Sequence, residues 1–219
     1  MHIYIIAQHL NLSGQGEDRL YRLGREYAAR EHDVTILTGN GGTGLDLGQK
    51  KIGLKQVEGQ TLVVFNVDYN PEMSRRKKIS AYLGFARLAG RQGLKLPRPD
   101  LIIVLSPPLT AALPALRLSK HYAVPLVVDV REIWPDAPVQ RGSLHNSLLI
   151  REARKLEKRL YEKADRIVVS SKGIADTVKE RSTGQTGVTL ITDQADDIEI
   201  VGIYDQVLKG LVDINKPQE

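Results

Sequence analysis

Short, largely apolar runs separated by helix-patterned segments are the feature that most constrains this chain. Residues 2–7, 33–37, 61–67, 101–105, 125–130 and 166–170 each read as a buried strand, and 188–192 is a further candidate. Helical spacing of apolar residues falls between and after them, at 17–30, 74–90, 109–121, 147–164, 172–181 and 200–212. The segment between the first two strands has about the length of a parallel crossover. Pro107 and Pro108 mark the entry to the helix at 109–121. Strands that are apolar throughout must be covered on both faces, which predicts a mostly parallel sheet between two helical layers. Right-handed crossovers make this a doubly wound α/β sheet, whose ligands bind at the carboxyl ends of the strands.

Composition removes several alternatives. A chain of 219 residues holds one large or two small domains and can bury a core without staples. It has no cysteine, which excludes a disulfide framework, a thiol nucleophile and a Cys-ligated zinc site. With 42% hydrophobic and 26% charged residues, a disordered chain is disfavoured. The formal net charge of +5 is mild, and no nucleic-acid-binding module accompanies it, so nucleic acid is not an expected partner. The apolar start, residues 1–7, is too short for a signal peptide, and no run approaches the roughly 18 apolar residues of a membrane span. The expected location is the cytoplasm, with a membrane surface still within reach.

The charge is unevenly placed. Residues 71–98 carry Arg75, Arg76, Lys77, Lys78, Arg87, Arg91, Lys95 and Arg98 against Glu72 alone, with Ile79, Tyr82, Leu83 and Phe85 interleaved. Such a helix either covers a sheet with a solvated basic face or lies on an anionic surface, where each charge contributes about 1 kcal/mol. The cations at 151–163 are mixed with Glu152, Glu157 and Glu162 and read as a salt-bridged solvent face. From Asp193 onward the acids Asp193, Asp196, Asp197, Glu199, Asp205, Asp213 and Glu219 face only Lys209 and Lys216.

The glycine-rich stretches do not form a dinucleotide or nucleotide-triphosphate loop. Gly14-Gln15-Gly16 starts too far past the first strand, and Arg19 stands where a third glycine is needed. Residues 39–44 lack the Gly-Lys-Ser/Thr of a phosphate loop. Gly14, Gln15 and Gly16 do run into a helix start, whose free N–H groups can hold a phosphate, with Arg19 to offset Glu17 and Asp18. A plain surface connection is the alternative.

The most unusual stretch is Asp129-Val130-Arg131-Glu132-Ile133-Trp134-Pro135-Asp136, which follows the fifth strand and holds the single Trp. Three carboxylates and an arginine gather there at the end where ligands bind. A structural reading, with Trp134 as a plug and Arg131 paired to an acid, stands equally beside a functional one.

This stretch resembles the D-x-R-D-x-W-P-E-S signature of family 4 glycosyltransferases, in particular the bacterial group that builds O-antigen, capsule and other surface polysaccharides. The run at 19–27, RLYRLGREY, is similar to that group's R-x-Y-E-L-A-R-E-L, and 31–38, EHDVTILT, to its G-H-E-V-T-V-L-T. Ser106-Pro107-Pro108-Leu109 matches S-P-P-L, and 164–174 matches A-D-x-I-V-V-x-S-x-G-I. The sequence departs from the pattern at Glu132 for Asp, Asp136 for Glu, Ala137 for Ser and Glu31 for Gly.

The resemblance implies one Rossmann-like half of the two-domain GT-B fold, the acceptor side, over residues 1–182. It leaves 183–219 as a last strand and helical tail, with the donor-binding domain absent. It implies transfer of a sugar from a nucleotide-sugar donor to a polyprenyl-linked or other glycan acceptor, without a cofactor or metal. A donor-binding partner subunit and a peripheral position on the inner face of the cytoplasmic membrane are further expectations. Asp129 and Glu132 become the catalytic candidates that orient the acceptor hydroxyl. His9, Ser106, Arg131, Trp134 and Asp136 become cleft residues. Gly14, Gln15, Gly16 and Arg19 become the donor-phosphate loop, and Arg75, Arg76, Lys77 and Lys78 the membrane-facing helix. Two alternatives stay open: a scaffold or regulatory subunit that kept only the fold, and an unrelated Rossmann-like sugar-nucleotide enzyme.

Overall fold

The computed structural model describes residues 1–12, 18–41, 43, 47–67, 69–70, 72–182 and 186–212. The Gly14-Gln15-Gly16 loop lies outside the described residues. Within them, one sheet contains β1 (His2–Ala7), β2 (Asp33–Gly39), β3 (Ile52–Val57), β4 (Gln60–Phe65), β5 (Leu101–Ser106), β6 (Leu126–Val130), β7 (Arg166–Val169) and β8 (Gly187–Leu190). The spatial order is β3-β4-β2-β1-β5-β6-β7-β8. Every neighbouring pair is parallel except the β3–β4 hairpin.

The periodicity does not predict β3. It is an edge strand with Leu54, Lys55 and Gln56 exposed, so it lacks the continuous apolar run that marks the central strands. Its two-residue turn has both φ angles positive, 48° at Glu58 and 79° at Gly59, the geometry that follows the right-handed twist of a hairpin.

Strand side chains alternate between two cores. Ile3, Ile5, Ile36, Leu62, Ile103, Val127 and Val168 pack on one face beneath α1 (Arg19–Ala29) and α7 (Asp197–Leu208). Tyr4, Ile6, Leu37, Val63, Ile102, Val128 and Val169 pack on the other face. That face is covered by α2 (Arg75–Gln92), α3 (Ala112–Tyr122), α5 (Ser147–Lys163) and α6 (Lys172–Arg181). Full burial of residues such as Phe65 and Phe85, whose rings meet edge to face at 5.8 Å, contributes about 1.5–3 kcal/mol per side chain. A short helix that the sequence pattern does not predict, α4 (Asp136–Gln140), follows β6. Four helices start on side-chain caps: Asp18, Asn146, Ser171 and Asp196 each accept a first-turn N–H.

The acidic C-terminal stretch has a structural partner. Ile200, Val201, Tyr204, Val207 and Leu208 of α7 belong to the core beside α1. Asp197 pairs with Arg22 and Arg25, and Asp205 with Arg30 while also accepting the Tyr27 hydroxyl at 2.9 Å. Two acids of α7 therefore pair with Arg22 and Arg25 of α1 and with Arg30 just past its end.

The strand order fixes where a ligand can sit. From β1 the chain builds outward through β2 and β4, then returns to β5 and builds the other way. The crevice at the carboxyl ends of β1 and β5 is the topological switch point.

Candidate functional site

A cleft of about 1010 Å³ opens at this crevice. His9 enters it from the loop after β1, and Pro107, Pro108, Leu109 and Thr110 from the loop after β5. Arg131, Glu132 and Trp134 enter from the segment after β6. The far walls are Arg75, Lys78, Ile79, Tyr82 and Leu83 of α2, and Leu149, Ala153 and Leu156 of α5. Apolar surface dominates the lining, and charged groups such as Asp18, Arg75, Lys78, Arg131, Glu132 and Arg141 are set into it, a mixture that suits a ligand site.

Loop chemistry explains the opening. Pro107 and Pro108 cannot continue the β5 ladder, so the chain leaves the sheet there and turns into a 3₁₀ segment, Leu109–Ala111. Ser106 closes the strand instead: it is buried, and its carbonyl accepts the Arg131 N–H at 2.8 Å.

The structure puts the two expected catalytic carboxylates to other uses. Asp129 is 0% exposed. Its oxygens accept Arg19 Nε at 3.2 Å, an Arg19 terminal nitrogen at 2.6 Å and the Tyr204 hydroxyl at 2.9 Å, with Arg131 Nε at 3.3 Å. Three donors and full burial engage this carboxylate inside the fold. Glu132 does line the cleft, but it accepts the Trp134 indole N–H at 2.9 Å and is gripped by both terminal nitrogens of Arg141. The Arg141 hydrogen bonds hold its carboxyl below the usual glutamate range, which makes it a weak proton acceptor.

Arg19, expected beside the donor phosphates, is only 4% exposed. Besides Asp129 it donates to the Ile191 carbonyl at 2.6 Å, so its guanidinium is taken up inside the fold. Asp136 pairs with Arg154 at 2.8 Å and with Arg181, which also holds the buried Glu157 at 2.9 Å. That network ties α4 to α5 and α6 and keeps Asp136 behind the cleft rather than in it.

Arg131 is shared between the cleft and the fold. It reaches Asp193 at 2.8 Å and Asp18 at 3.5 Å. Asp18 also lines the cleft, and burial raises its carboxyl. Of the four basic residues expected on a membrane face, Arg75 and Lys78 line the cleft while Arg76 and Lys77 are exposed. Arg75 and Lys78 make no ion pair among the described residues.

Residues outside the sequence-based set complete the site. Tyr69 and Tyr82 stack at 5.5 Å with an interplanar angle of 28°, and the Tyr82 hydroxyl donates to the Tyr69 oxygen at 3.2 Å. His9 lies 4.1 Å from Tyr69, centroid to centroid, and the Tyr82 ring meets Trp134 edge to face at 6.2 Å. Burial lowers the His9 imidazole to about 4, so it is neutral at pH 7. Tyr82 could be anticipated as a residue interleaved with the basic helix; Tyr69 and Arg141 carried no motif. Among the described residues no group of three or more His, Asp or Glu is placed to hold a metal ion, and no helix is long and apolar enough to cross a membrane.

Comparison with known proteins bears on this geometry. Sucrose-phosphate synthase from Thermosynechococcus elongatus superposes with a TM-score of 0.60 at 13% identity, over 87% of this chain and 47% of that one. A second structure of that synthase, a shorter chain, gives 0.63 at 16% identity over 96% and 99%. An E. coli trehalose-6-phosphate structure bound with UDP-2-fluoro glucose gives 0.55 at 12% identity over 87% and 48%. The chain thus spans about half the length of the two longer proteins, and at these identities the likeness is one of fold: a GT-B half-domain. A comparison with curated proteins finds no match. The model of the glycosyl transferase 4-like domain matches residues 16–192, and with most of its length covered the chain belongs to that family.

Proposed function

We propose that this chain is the acceptor-side half of a glycosyltransferase that moves a sugar from a nucleotide-sugar donor to a lipid-linked glycan. The setting is synthesis of a surface polysaccharide of the O-antigen or capsule kind, at the inner face of the cytoplasmic membrane. The observation that carries the reading is the cleft at the switch point, apolar along most of its wall and flanked by Arg75 and Lys78. An acceptor that joins an isoprenoid chain to a diphosphate supplies the matching pair of surfaces. Arg76 and Lys77, exposed on the same helix turn, face the anionic leaflet in this reading.

Glycosyl transfer builds negative charge on the leaving diphosphate, which fixed cations and N–H donors stabilise. The donor is held by a domain or subunit other than residues 1–182. Within this chain Arg75 and Lys78 hold the acceptor phosphate, and Glu132 orients Trp134 against the acceptor.

The test is binding to vesicles with and without an isoprenoid diphosphate. Wild type binds the loaded vesicles more tightly, and the Arg75→Glu, Lys78→Glu double variant loses at least about tenfold, or about 1.4 kcal/mol. Equal binding by the double variant refutes the reading. Tight binding of a nucleotide sugar by this chain alone also counts against it.

A second reading draws on the occupied state of Asp129 and Glu132. With both carboxylates engaged, the chain fits a scaffold subunit that keeps the fold without the chemistry. Unchanged transfer by a reconstituted complex carrying Glu132→Gln and Trp134→Phe favours that scaffold.

A further inference from the structure

Four rings line the cleft, two of which, Tyr69 and Trp134, also pack against the edge of the core. Tyr4, Tyr21, Tyr27 and Tyr204 are fully buried. Their hydroxyls donate to fixed protein acceptors: the Pro97 carbonyl, Glu58, Asp205 and Asp129. His9, Tyr69, Tyr82 and Trp134 instead share a wall of the cleft and are only partly buried. They come from four separate parts of the chain: the loop after β1, the segment after β4, helix α2 and the segment after β6. The ring contacts run unbroken from His9 through Tyr69 and Tyr82 to Trp134.

Two details point to a ligand with a ring of its own. The Trp134 indole is locked by its N–H to Glu132, and Glu132 is locked in turn by Arg141. Packing of Trp134 against the core edge does not require a hydrogen-bonded indole, whereas a stacking platform needs a fixed plane. His9 Nε2 is buried and has no hydrogen-bond partner among the described residues. A neutral imidazole nitrogen of this kind pairs with a hydroxyl, whereas an anion calls for a cation.

We infer that Trp134, Tyr82 and Tyr69 form a stacking subsite for a neutral pyranose ring, with His9 bonding one of its hydroxyls. A pyranose presents C–H groups on its faces and hydroxyls on its rim, so it matches an aromatic wall beside one isolated polar nitrogen. Arg75 and Lys78 line the same cleft, so one ligand can present a sugar to the rings and a phosphate to the cations. The assignment rests on the acceptor reading above and adds to it the part of the chain that recognises the acceptor's sugar. It makes Glu132 a positioning residue for Trp134.

Trp134 is the single tryptophan of the chain, so its emission reports directly on this subsite. The experiment titrates the full chain with methyl β-D-glucopyranoside, methyl β-D-galactopyranoside and methyl N-acetyl-β-D-glucosaminide, with sorbitol as the acyclic control and farnesyl diphosphate as a separate probe. At least one glycoside is expected to give a saturable change in emission that sorbitol does not. Tyr82→Leu, which keeps the helix and removes the ring, should weaken that glycoside at least about tenfold, or about 1.4 kcal/mol. Tyr82→Phe should retain it within about threefold, which separates loss of the ring from loss of the hydroxyl. Absence of a glycoside response, an equal response to sorbitol, or full affinity in Tyr82→Leu overturns the subsite. A farnesyl diphosphate response without a glycoside response overturns the subsite and leaves the lipid-phosphate reading standing. A glycoside response alone supports the subsite and removes the lipid-linked acceptor.

Discussion

Replacing Asp129 by Asn separates a structural carboxylate from a catalytic one. The amide keeps the size of the side chain and an oxygen for Tyr204, but it removes the charge that faces Arg19. Arg19 is 4% exposed and its partner 0%, so the guanidinium is left in the interior with only the Ile191 carbonyl and an amide. Breaking a buried ion pair from one side costs about 3–5 kcal/mol. The surviving amide contact puts Asp129→Asn at the lower end, about 3 kcal/mol. For a chain of this size each kcal/mol moves the melting temperature by roughly 2–4 °C, so a fall of about 6–12 °C is expected. Tyr204→Phe removes a single hydrogen bond to the same carboxylate and should cost about 1.5–3 kcal/mol. The two changes share one partner, so their sum should exceed the loss in the double variant. Thermal and urea unfolding followed by far-ultraviolet circular dichroism measures all three. If Asp129→Asn melts within about 2 °C of wild type, yet abolishes transfer in the reconstituted enzyme, Asp129 acts in the chemistry and the structural argument fails.

Two further predictions concern acid and salt. His9 titrates near 4 in the folded chain because burial disfavours its charged form, against about 6.5 when unfolded. Between these values the unfolded chain takes up a proton that the folded chain refuses, so the stability is complete above the upper value and declines as pH falls through the window, by roughly 3 kcal/mol in all. His9→Phe should flatten that part of the acid limb; an unchanged difference between urea midpoints at neutral pH and near pH 4 would show that His9 is not the source. Asp197 joins two arginines of α1 at a partly exposed interface, so Asp197→Ala should lose about 1 kcal/mol in low salt and less in high salt. A loss independent of ionic strength would assign the effect to packing instead.

The sheet was readable because a parallel strand buried on both faces has to be apolar at nearly every position. The runs at β1, β2 and β4 to β7 carry that signal, whereas the two edge strands do not: β3 keeps Lys55 and Gln56 in solvent, and β8 leaves Gly187 and Leu190 exposed. The clearest clue to β3 was the Glu58-Gly59 pair, a hairpin turn by its geometry but a weak signal without Asn or Asp at the first position. The stretch from Asp129 to Asp136 was visible as a cluster of charge, yet the roles within it depend on partners far along the chain. Asp129 meets Arg19 at a separation of 110 residues and Tyr204 at 75. Local sequence carries no trace of such pairings. Opposite charge on α1 and α7 could be counted in advance, but only the packing of Tyr204 and its neighbours brings the two helices together.

The hub around Asp129 also has an order of construction. Its donors come from Arg19 and Tyr204, and Arg19 needs the Ile191 carbonyl as well. During synthesis the first and central strands emerge long before α7. Until residue 204 has cleared the ribosome, Asp129 and Arg19 face each other without part of their hydrogen-bond set, and the sheet face that α7 covers is open to water. The hydrogen-bond set of Asp129 is therefore complete only once Tyr204 of α7 is in place.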